Sequence, residues 1–182
     1  MIVKQKKIAI FDMDGTLADT DAANSAAYRA ALAWAGVRNM FGLVGRVTVE
    51  VVRAAMGEGA AVSLDDIVRM KVEAYCGELW RASLGPASDA FHCVLVNRSM
   101  FDKVVLLSDG SERRVVETLN HFGWTNLFDE IVCNGGKGNK YANYFRDFDS
   151  DPAACVVWEN EEGQIMSAIA AGVKMGNIRK VG

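Results

Sequence analysis

Two aspartates stand two residues apart at the end of a short apolar run, and their spacing is the first sign of chemistry in this chain. The run Ile8–Phe11 predicts a buried strand, and Asp12, Asp14 and Gly15 follow it. Ligands of open α/β sheets bind at the carboxyl ends of strands, where both carboxylates would then lie. Asp and Gly are also ordinary turn residues. The pair therefore indicates either a ligand site or a plain turn.

The longer string around these aspartates is more specific. Phe-Asp-Met-Asp-Gly-Thr-Leu-Ala-Asp-Thr, residues 11–20, resembles the first motif of the haloacid dehalogenase (HAD) superfamily, and in particular its phosphoglycolate phosphatase and β-phosphoglucomutase branch. In that family the first aspartate attacks phosphorus and the second is the general acid/base. The resemblance implies that Asp12 is the nucleophile, that Asp14 is the acid/base and that Thr16 braces the loop.

A phosphoryl-transfer site also needs small hydrogen-bond donors near the carboxylates. Ser108, Asp109 and Gly110 follow the apolar run Val104–Leu107, which predicts a second buried strand. Alone they are a turn signal. They match the family's second motif, which implies that Ser108 and backbone N–H groups here bind phosphoryl oxygens. Asp109 stands where the family has Asn, so we expect its carboxylate to turn away from the phosphate.

The site also needs a cation, which we expect on the next strand–loop unit. The loop after residues 130–133 offers two lysines, Lys137 and Lys140. Lys140 fits the family pattern better, with Tyr141 in place of the usual proline, and Lys137 is the alternative. Either lysine taken alone is also typical of a flexible basic loop.

Metal ligands are expected after a third apolar run, Cys155–Trp158. The resemblance places the family's acidic pair on Glu159 and Asn160. It implies that these two residues bind Mg²⁺ together with Asp12 and the backbone carbonyl of Asp14. The family usually has Asp at the position of Asn160, and a neutral amide oxygen attracts Mg²⁺ less than a carboxylate does.

The elements that position these residues alternate between strands and helices after residue 100. Helix signals at 111–122, 141–148 and 165–172 separate the apolar runs, and Val173–Ile178 is compatible with a last strand. This alternation is typical of a parallel α/β sheet. The predicted fold class is α/β, a HAD-like Rossmannoid parallel sheet sandwiched by helices, with an inserted small helical cap of C1 type.

The segment between the first and second motifs predicts helices and no convincing strand. Its position agrees with the C1-type cap of HAD phosphatases. We therefore predict a core of residues 1–17 and 86–182 and a helical cap of residues 18–85. Arg46 precedes the second cap helix, where related phosphatases often place a basic residue that contacts substrate. A solvated arginine is the alternative.

Composition limits the other classes of function. The 182 residues are 51% hydrophobic and 24% charged, with a net charge of −3 and no basic stripe for nucleic acid. No apolar segment approaches the roughly 18 residues of a membrane span. The basic start leads into an apolar run too short for a signal peptide. Four scattered cysteines favour a reducing, cytoplasmic location and neither a zinc site nor a disulfide framework.

Together, the motifs imply a Mg²⁺-dependent phosphatase. Its partner would be a small phosphorylated metabolite, hydrolysed through an aspartyl-phosphate, with no nucleic acid and no membrane involved. A phosphomutase would use the same aspartates. Asp109, Tyr141 and Asn160 depart from the family pattern, which also leaves open a weakened protein that only binds phospholigands.

Overall fold

The computed structural model describes residues 7–37, 47–57 and 61–182. Arg46, the predicted cap residue for substrate, lies outside these ranges, so its placement stays a prediction. None of the helices described is both long enough and apolar enough to cross a bilayer.

The larger of two compact units comprises residues 1–18 and 84–182 and is built on a parallel sheet. Its five strands are, in spatial order, β5 (Glu130–Cys133), β4 (Phe101–Ser108), β1 (Lys7–Phe11), β6 (Cys155–Glu159) and β7 (Ile178–Lys180). All four neighbouring pairs are parallel. Because β1 is central and Phe11 pairs with Leu106 and Trp158, the residues that follow it are flanked by the carboxyl ends of β4 and β6.

Helices cover both faces of this sheet. Ala9 and Phe11 of β1 pack with α4 (Ser88–Val96) and α5 (Glu112–Phe122) on one side. Ile8 and Ile10 pack on the other side with α6 (Lys140–Asp147) and α7 (Glu162–Ala170). Successive side chains of a strand point to opposite faces, so a run buried on both faces is apolar throughout. The predicted α/β fold with helices on both sides of a parallel sheet is confirmed.

The smaller unit comprises residues 19–83 and is mainly helical. Its helices are α1 (Asp21–Trp34), α2 (Val49–Met56) and α3 (Leu64–Glu78). α1 packs on α3 through small and apolar side chains, among them Ala27 and Tyr75. Ser63 caps the N-terminus of α3, because its side chain accepts a hydrogen bond from the backbone N–H of Asp66 at 3.1 Å.

Short elements complete the chain. The strands β2 (Ala18–Asp19) and β3 (Ser83–Leu84) pair with one another, and single 3₁₀ turns occupy Leu79–Arg81, Arg98–Met100, Pro152–Ala154 and Met175–Asn177. The last strand lies later than the segment 173–178 expected from the sequence, because a 3₁₀ turn occupies Met175–Asn177 and β7 begins only at Ile178. Val173 is buried whereas Met175 is exposed, so the alternate apolar residues of this segment do not share one buried face as they would in a strand.

Candidate active site

Lys140 lies between two buried carboxylates at the end of the sheet. Its Nζ is 2.7 Å from Oδ1 of Asp12 and 2.8 Å from Oε2 of Glu159. Asp12 follows β1, Glu159 ends β6, and Lys140 is the first residue of α6. The N-cap of that helix, Asn139, accepts from the N–H of Ala142 and fixes where the helix begins. Two strand ends and one helix start therefore bring the three groups together.

Glu159 is fully engaged by hydrogen bonds. Oε2 accepts from Lys140 and from the hydroxyl of Tyr141 at 2.9 Å. Oε1 accepts from the backbone N–H groups of Asn160 and Glu161 at 3.0 and 3.2 Å. A carboxylate has about four acceptor positions. Glu159 therefore serves in this structure to hold Lys140 and the loop after β6, and it has little capacity left for a metal ion.

Burial and charge act together on these groups. Burial raises the pKa of Asp12 from 3.8 to about 7, while the ammonium of Lys140 opposes that rise. Burial by itself lowers the pKa of Lys140, but Asp12 and Glu159 outweigh it and the pKa is raised. Burial also raises the pKa of Tyr141, and the charge of Glu159 adds to the effect. Lys140 is thus a permanent cation and Tyr141 a permanent hydrogen-bond donor.

Asp14 forms an ion pair with Arg114, a residue that our sequence analysis did not single out. Arg114 Nη1 donates to Oδ1 of Asp14 at 3.0 Å, and Nη2 donates to Oδ2. Arg114 lies in the first turn of α5, directly after the Ser108–Gly110 loop. An arginine in the first turn opposes the usual preference for acidic residues near a helix N-terminus. Arg113 lies in the same turn, so the anomaly draws attention to this segment but does not identify which arginine pairs with Asp14.

The loop after β4 is internally bonded. Ser108 is buried, and its Oγ accepts from the backbone N–H of Gly110 at 3.0 Å, which leaves the hydroxyl proton available to donate elsewhere. Asp109 Oδ1 accepts from Asn134 at 2.7 Å and Oδ2 accepts from Gln164 at 2.8 Å. The carboxylate of Asp109 therefore accepts from two side-chain amides, one on the loop after β5 and one on α7, and these donors stabilise its charge.

Only one of the two candidate lysines reaches Asp12. Lys137 is exposed, and its backbone carbonyl accepts from Asn143 at 2.8 Å. Asn134 donates to the carbonyl of Gly138 at 3.0 Å, so the lysine-bearing loop is folded on itself by two amide side chains. Lys140 is buried beside Asp12. The geometry distinguishes Lys140 from Lys137, which the sequence left open.

Asn160 joins the loops after β1 and β6. Its Oδ1 accepts from the hydroxyl of Thr16 at 3.2 Å. Its amide group lies against Gly15, where any side chain would collide with it, and Gly15 also has a φ of +78° that favours glycine. The hydroxyl of Thr16 thus connects the loop after β1 to Asn160, and Gly15 is required both for its backbone angle and for this close approach.

The oxygen donors here fit a hard cation such as Mg²⁺ in kind. Lys140 engages Oδ1 of Asp12, so Oδ2 remains on the side away from the lysine. Asn160 Oδ1 and the Asp14 carbonyl belong to the loops that flank Asp12. Within the described ranges no three His, Cys, Asp or Glu side chains cluster as a metal site. The oxygens available to Mg²⁺ are therefore one carboxylate oxygen, that of Asp12, and two neutral oxygens, those of the Asn160 amide and the Asp14 carbonyl.

These features define a class of protein: an α/β protein with a Rossmann-like parallel sheet that holds a buried aspartate and lysine at its carboxyl edge. The family model of haloacid dehalogenase-like hydrolases matches residues 9–178. The chain therefore belongs to that family, and it is an enzyme of its phosphatase branch.

Individual relatives agree with this assignment. The chain is 30% identical to the fructose-1-phosphate phosphatase YqaB of Escherichia coli (strain K12), over 93% of this chain and 95% of the relative. Its fold resembles CbbY from Rhodobacter sphaeroides, crystallised with phosphate, with a TM-score of 0.73 and 21% identity over 93% of this chain and 84% of that one. A putative β-phosphoglucomutase from Thermotoga maritima gives a TM-score of 0.70 and 23% identity over 96% and 84%.

Proposed function

We propose that this chain is a Mg²⁺-dependent phosphatase that hydrolyses a small organic phosphate monoester through an aspartyl-phosphate on Asp12. The observation that carries the proposal is the buried contact of Lys140 with Asp12 and Glu159. A phosphoryl group that approaches Asp12 needs a nearby positive charge, and Lys140 supplies one at a fixed position. Asp14, two residues further on, supplies the second carboxylate that the reaction requires.

The reaction takes place in two halves. The first half starts with Asp12 as the carboxylate and Asp14 in its protonated form. An oxygen of Asp12 attacks phosphorus, the ester P–O bond breaks, and Asp14 gives its proton to the leaving oxygen. In the second, Asp14 takes a proton from water as that water attacks phosphorus, and the bond between Asp12 and phosphorus breaks. Inorganic phosphate is released, and both aspartates return to their starting states.

Other residues position the phosphoryl group. The hydroxyl of Ser108 and the backbone N–H groups of the loop after it would donate to phosphoryl oxygens, while Asp109 is turned toward Asn134 and Gln164. Asp12, Asn160 and the Asp14 carbonyl would hold Mg²⁺. When bound, the ion would supply positive charge that offsets the negative charges of the carboxylate and the phosphate.

The substrate and its setting are also proposals. The Escherichia coli relative is a fructose-1-phosphate phosphatase, which favours a sugar phosphate or a similarly small metabolite. The scattered cysteines favour a cytoplasmic setting. The helical segment of residues 18–85 would act as the cap, excluding water while Asp12 is attacking.

The test is phosphate release from a panel of monoesters that includes fructose 1-phosphate, with and without Mg²⁺. We expect release by the wild type that depends on Mg²⁺ and is lost in Asp12→Asn. Conversion of a sugar phosphate to an isomer without release would indicate a phosphomutase. Equal inactivity of wild type and Asp12→Asn across the panel would reject the hydrolase proposal.

A further inference from the structure

Arg114 is hydrogen-bonded to the Asp14 carboxylate, which the proposed reaction uses for proton transfer. Two of its guanidinium nitrogens donate to the two oxygens of Asp14, in the bidentate arrangement that arginine forms with carboxylates. Both side chains are largely shielded, with exposed fractions of 14% for Arg114 and 22% for Asp14. While Asp14 is paired with Arg114, the guanidinium takes one acceptor position on each carboxylate oxygen and holds the side chain in one orientation.

The guanidinium also lies at the loop that would bind phosphate. A side-chain carbon added at Gly110 would be 2.9 Å from Nη2 of Arg114 and 3.2 Å from Oγ of Ser108. Arg114 and Ser108 therefore flank the same glycine. Gly110 does not have a left-handed backbone, so what it provides here is space. The space lets Arg114 cross the loop to Asp14 and also brings its charge beside the Ser108 hydroxyl.

We propose that Arg114 is a phosphate-binding residue that exchanges partners. In the free enzyme it pairs with Asp14. A phosphoryl group bound at the Ser108 loop takes over the guanidinium and thereby releases Asp14 for proton transfer. This inference rests on the proposed function, since it concerns the same site. A ligand shifts such an equilibrium only by its difference in affinity for the two states, and a phosphate dianion beside Arg114 provides that difference.

The exchange makes Asp14 and phosphate competitors for one cation. Removing the competitor in Asp14→Asn should therefore tighten phosphate binding, whereas Arg114→Ala should weaken it. The gain in Asp14→Asn should require Arg114, and it should be absent when both residues are replaced. A static ion pair that merely supports the fold predicts no such coupling.

The test is calorimetric titration of inorganic phosphate, at fixed Mg²⁺, into the wild type, Asp14→Asn, Arg114→Ala and the double variant. We expect affinity to rise about fivefold to tenfold in Asp14→Asn and to fall about tenfold in Arg114→Ala, as for charge-assisted hydrogen bonds. Arg114→Lys, which keeps the charge without the bidentate geometry, should lie between wild type and Arg114→Ala. It also covers the case in which the alanine variant folds poorly.

A matched pair controls for simple removal of charge. Arg146 and Asp147 also form a bidentate ion pair in this unit, but both are exposed, and their replacement should leave phosphate binding unchanged. The proposal fails if Asp14→Asn raises affinity equally with and without Arg114, because the gain then reflects charge alone. It also fails if Arg114→Ala binds phosphate as the wild type does. Continued phosphate release by the wild type in either case would leave the proposed function standing.

Discussion

The Nζ of Lys140 donates to Oδ1 of Asp12 at 2.7 Å, although 128 residues separate them in the sequence. The contact connects the end of β1 with the start of α6. Both side chains are buried, so each charge depends on the other for compensation. The pair therefore has a structural role as well as its proposed role in binding the phosphoryl group.

Replacing Lys140 should damage both the fold and the activity. Lys140→Met keeps most of the side-chain volume but leaves Asp12 and Glu159 without their cation. We expect a loss of about 3–5 kcal/mol in the free energy of unfolding, as for other broken buried pairs. Phosphate release should fall to background. Urea unfolding and a phosphate-release assay measure the two effects.

Lys137→Met provides the matched control for that experiment. Lys137 lies in the same loop but is exposed. Its replacement should change the free energy of unfolding by less than about 0.5 kcal/mol. Similar losses in both variants would show that the loop, and not the buried ammonium, is responsible.

The raised pKa of Asp12 predicts how stability depends on pH in the metal-free protein. Burial raises this pKa from 3.8 to about 7, so the folded state holds the proton more tightly than the unfolded state. The contribution of Asp12 to stability is full below its unfolded pKa and is lost as the pH rises through its folded pKa. The free energy of unfolding should therefore decline between those two values.

The asparagine in Asp12→Asn cannot ionise, so this variant is the reference for the pH dependence of the wild type. Subtracting its profile of unfolding free energy against pH from that of the wild type isolates the contribution of Asp12. We expect the difference to fall as the pH rises from about 4 to about 7. A difference that rises with pH would mean that Lys140 outweighs burial and lowers this pKa.

Asn160→Asp should strengthen Mg²⁺ binding. The substitution keeps an oxygen that can accept from Thr16 and adds a negative charge on the loop after β6, next to Glu159 in the sequence. We expect the Mg²⁺ affinity, measured by calorimetric titration, to rise about tenfold because carboxylates attract Mg²⁺ more than amides do.

Asn120→Asp is a close control, because Asn120 also accepts from a threonine hydroxyl, that of Thr125 at 2.7 Å, but lies on the exposed end of α5. It should leave Mg²⁺ affinity unchanged. Equal gains in both variants would mean that the net charge of the protein, and not a metal ligand at position 160, controls the Mg²⁺ affinity.

Gly85→Ala should destabilise the core unit. A Cβ at Gly85 would be 2.7 Å from the backbone carbon of Leu17 and 2.8 Å from the backbone nitrogen of Ala18. The N–H of Gly85 also donates to the carbonyl of Leu17 at 2.7 Å, so the two segments cannot separate without losing this bond. We expect a loss of about 1–3 kcal/mol in the free energy of unfolding.

Gly163→Ala should instead increase the free energy of unfolding, measured in the same way. Gly163 lies in α7, and nothing would come within 4 Å of an added Cβ. Alanine should stabilise the helix by up to about 1 kcal/mol. If Gly85→Ala proved as stable as Gly163→Ala, close packing at residue 85 would be ruled out as the reason for glycine there.

Much of the sheet could be predicted because its strands are local patterns. The run at 155–158 is apolar throughout since both faces of β6 are covered, and the strand there extends only one residue further, to Glu159. The bounds of the last strand, β7, could not be predicted from such an apolar run. At 173–178 apolar residues are mixed with glycine and asparagine, and an exposed Met175 carries no information about a buried face.

The candidate site was predictable where a motif is continuous in sequence. Asp12 and Asp14 follow β1 and Ser108 ends β4, so the topology alone brings them to one edge. The partner of each carboxylate depends on contacts across the fold. Arg114 is paired with Asp14 from 100 residues away, and Tyr141 reaches Glu159 from α6, the helix that precedes β6. No local pattern encodes such pairings, which require the packed positions of α5 and α6.

The central claim is that Asp12 carries the phosphoryl group during turnover. Its most direct test is rapid acid quenching of the enzyme with a substrate from the active panel, followed by mass spectrometry of the peptide that contains residues 8–20. We predict one added phosphoryl group on Asp12 in the wild type, lost on treatment with hydroxylamine and absent from Asp12→Asn. Steady phosphate release with no phosphorylated peptide at the earliest quench times, or with the phosphoryl group on another residue, would contradict the account.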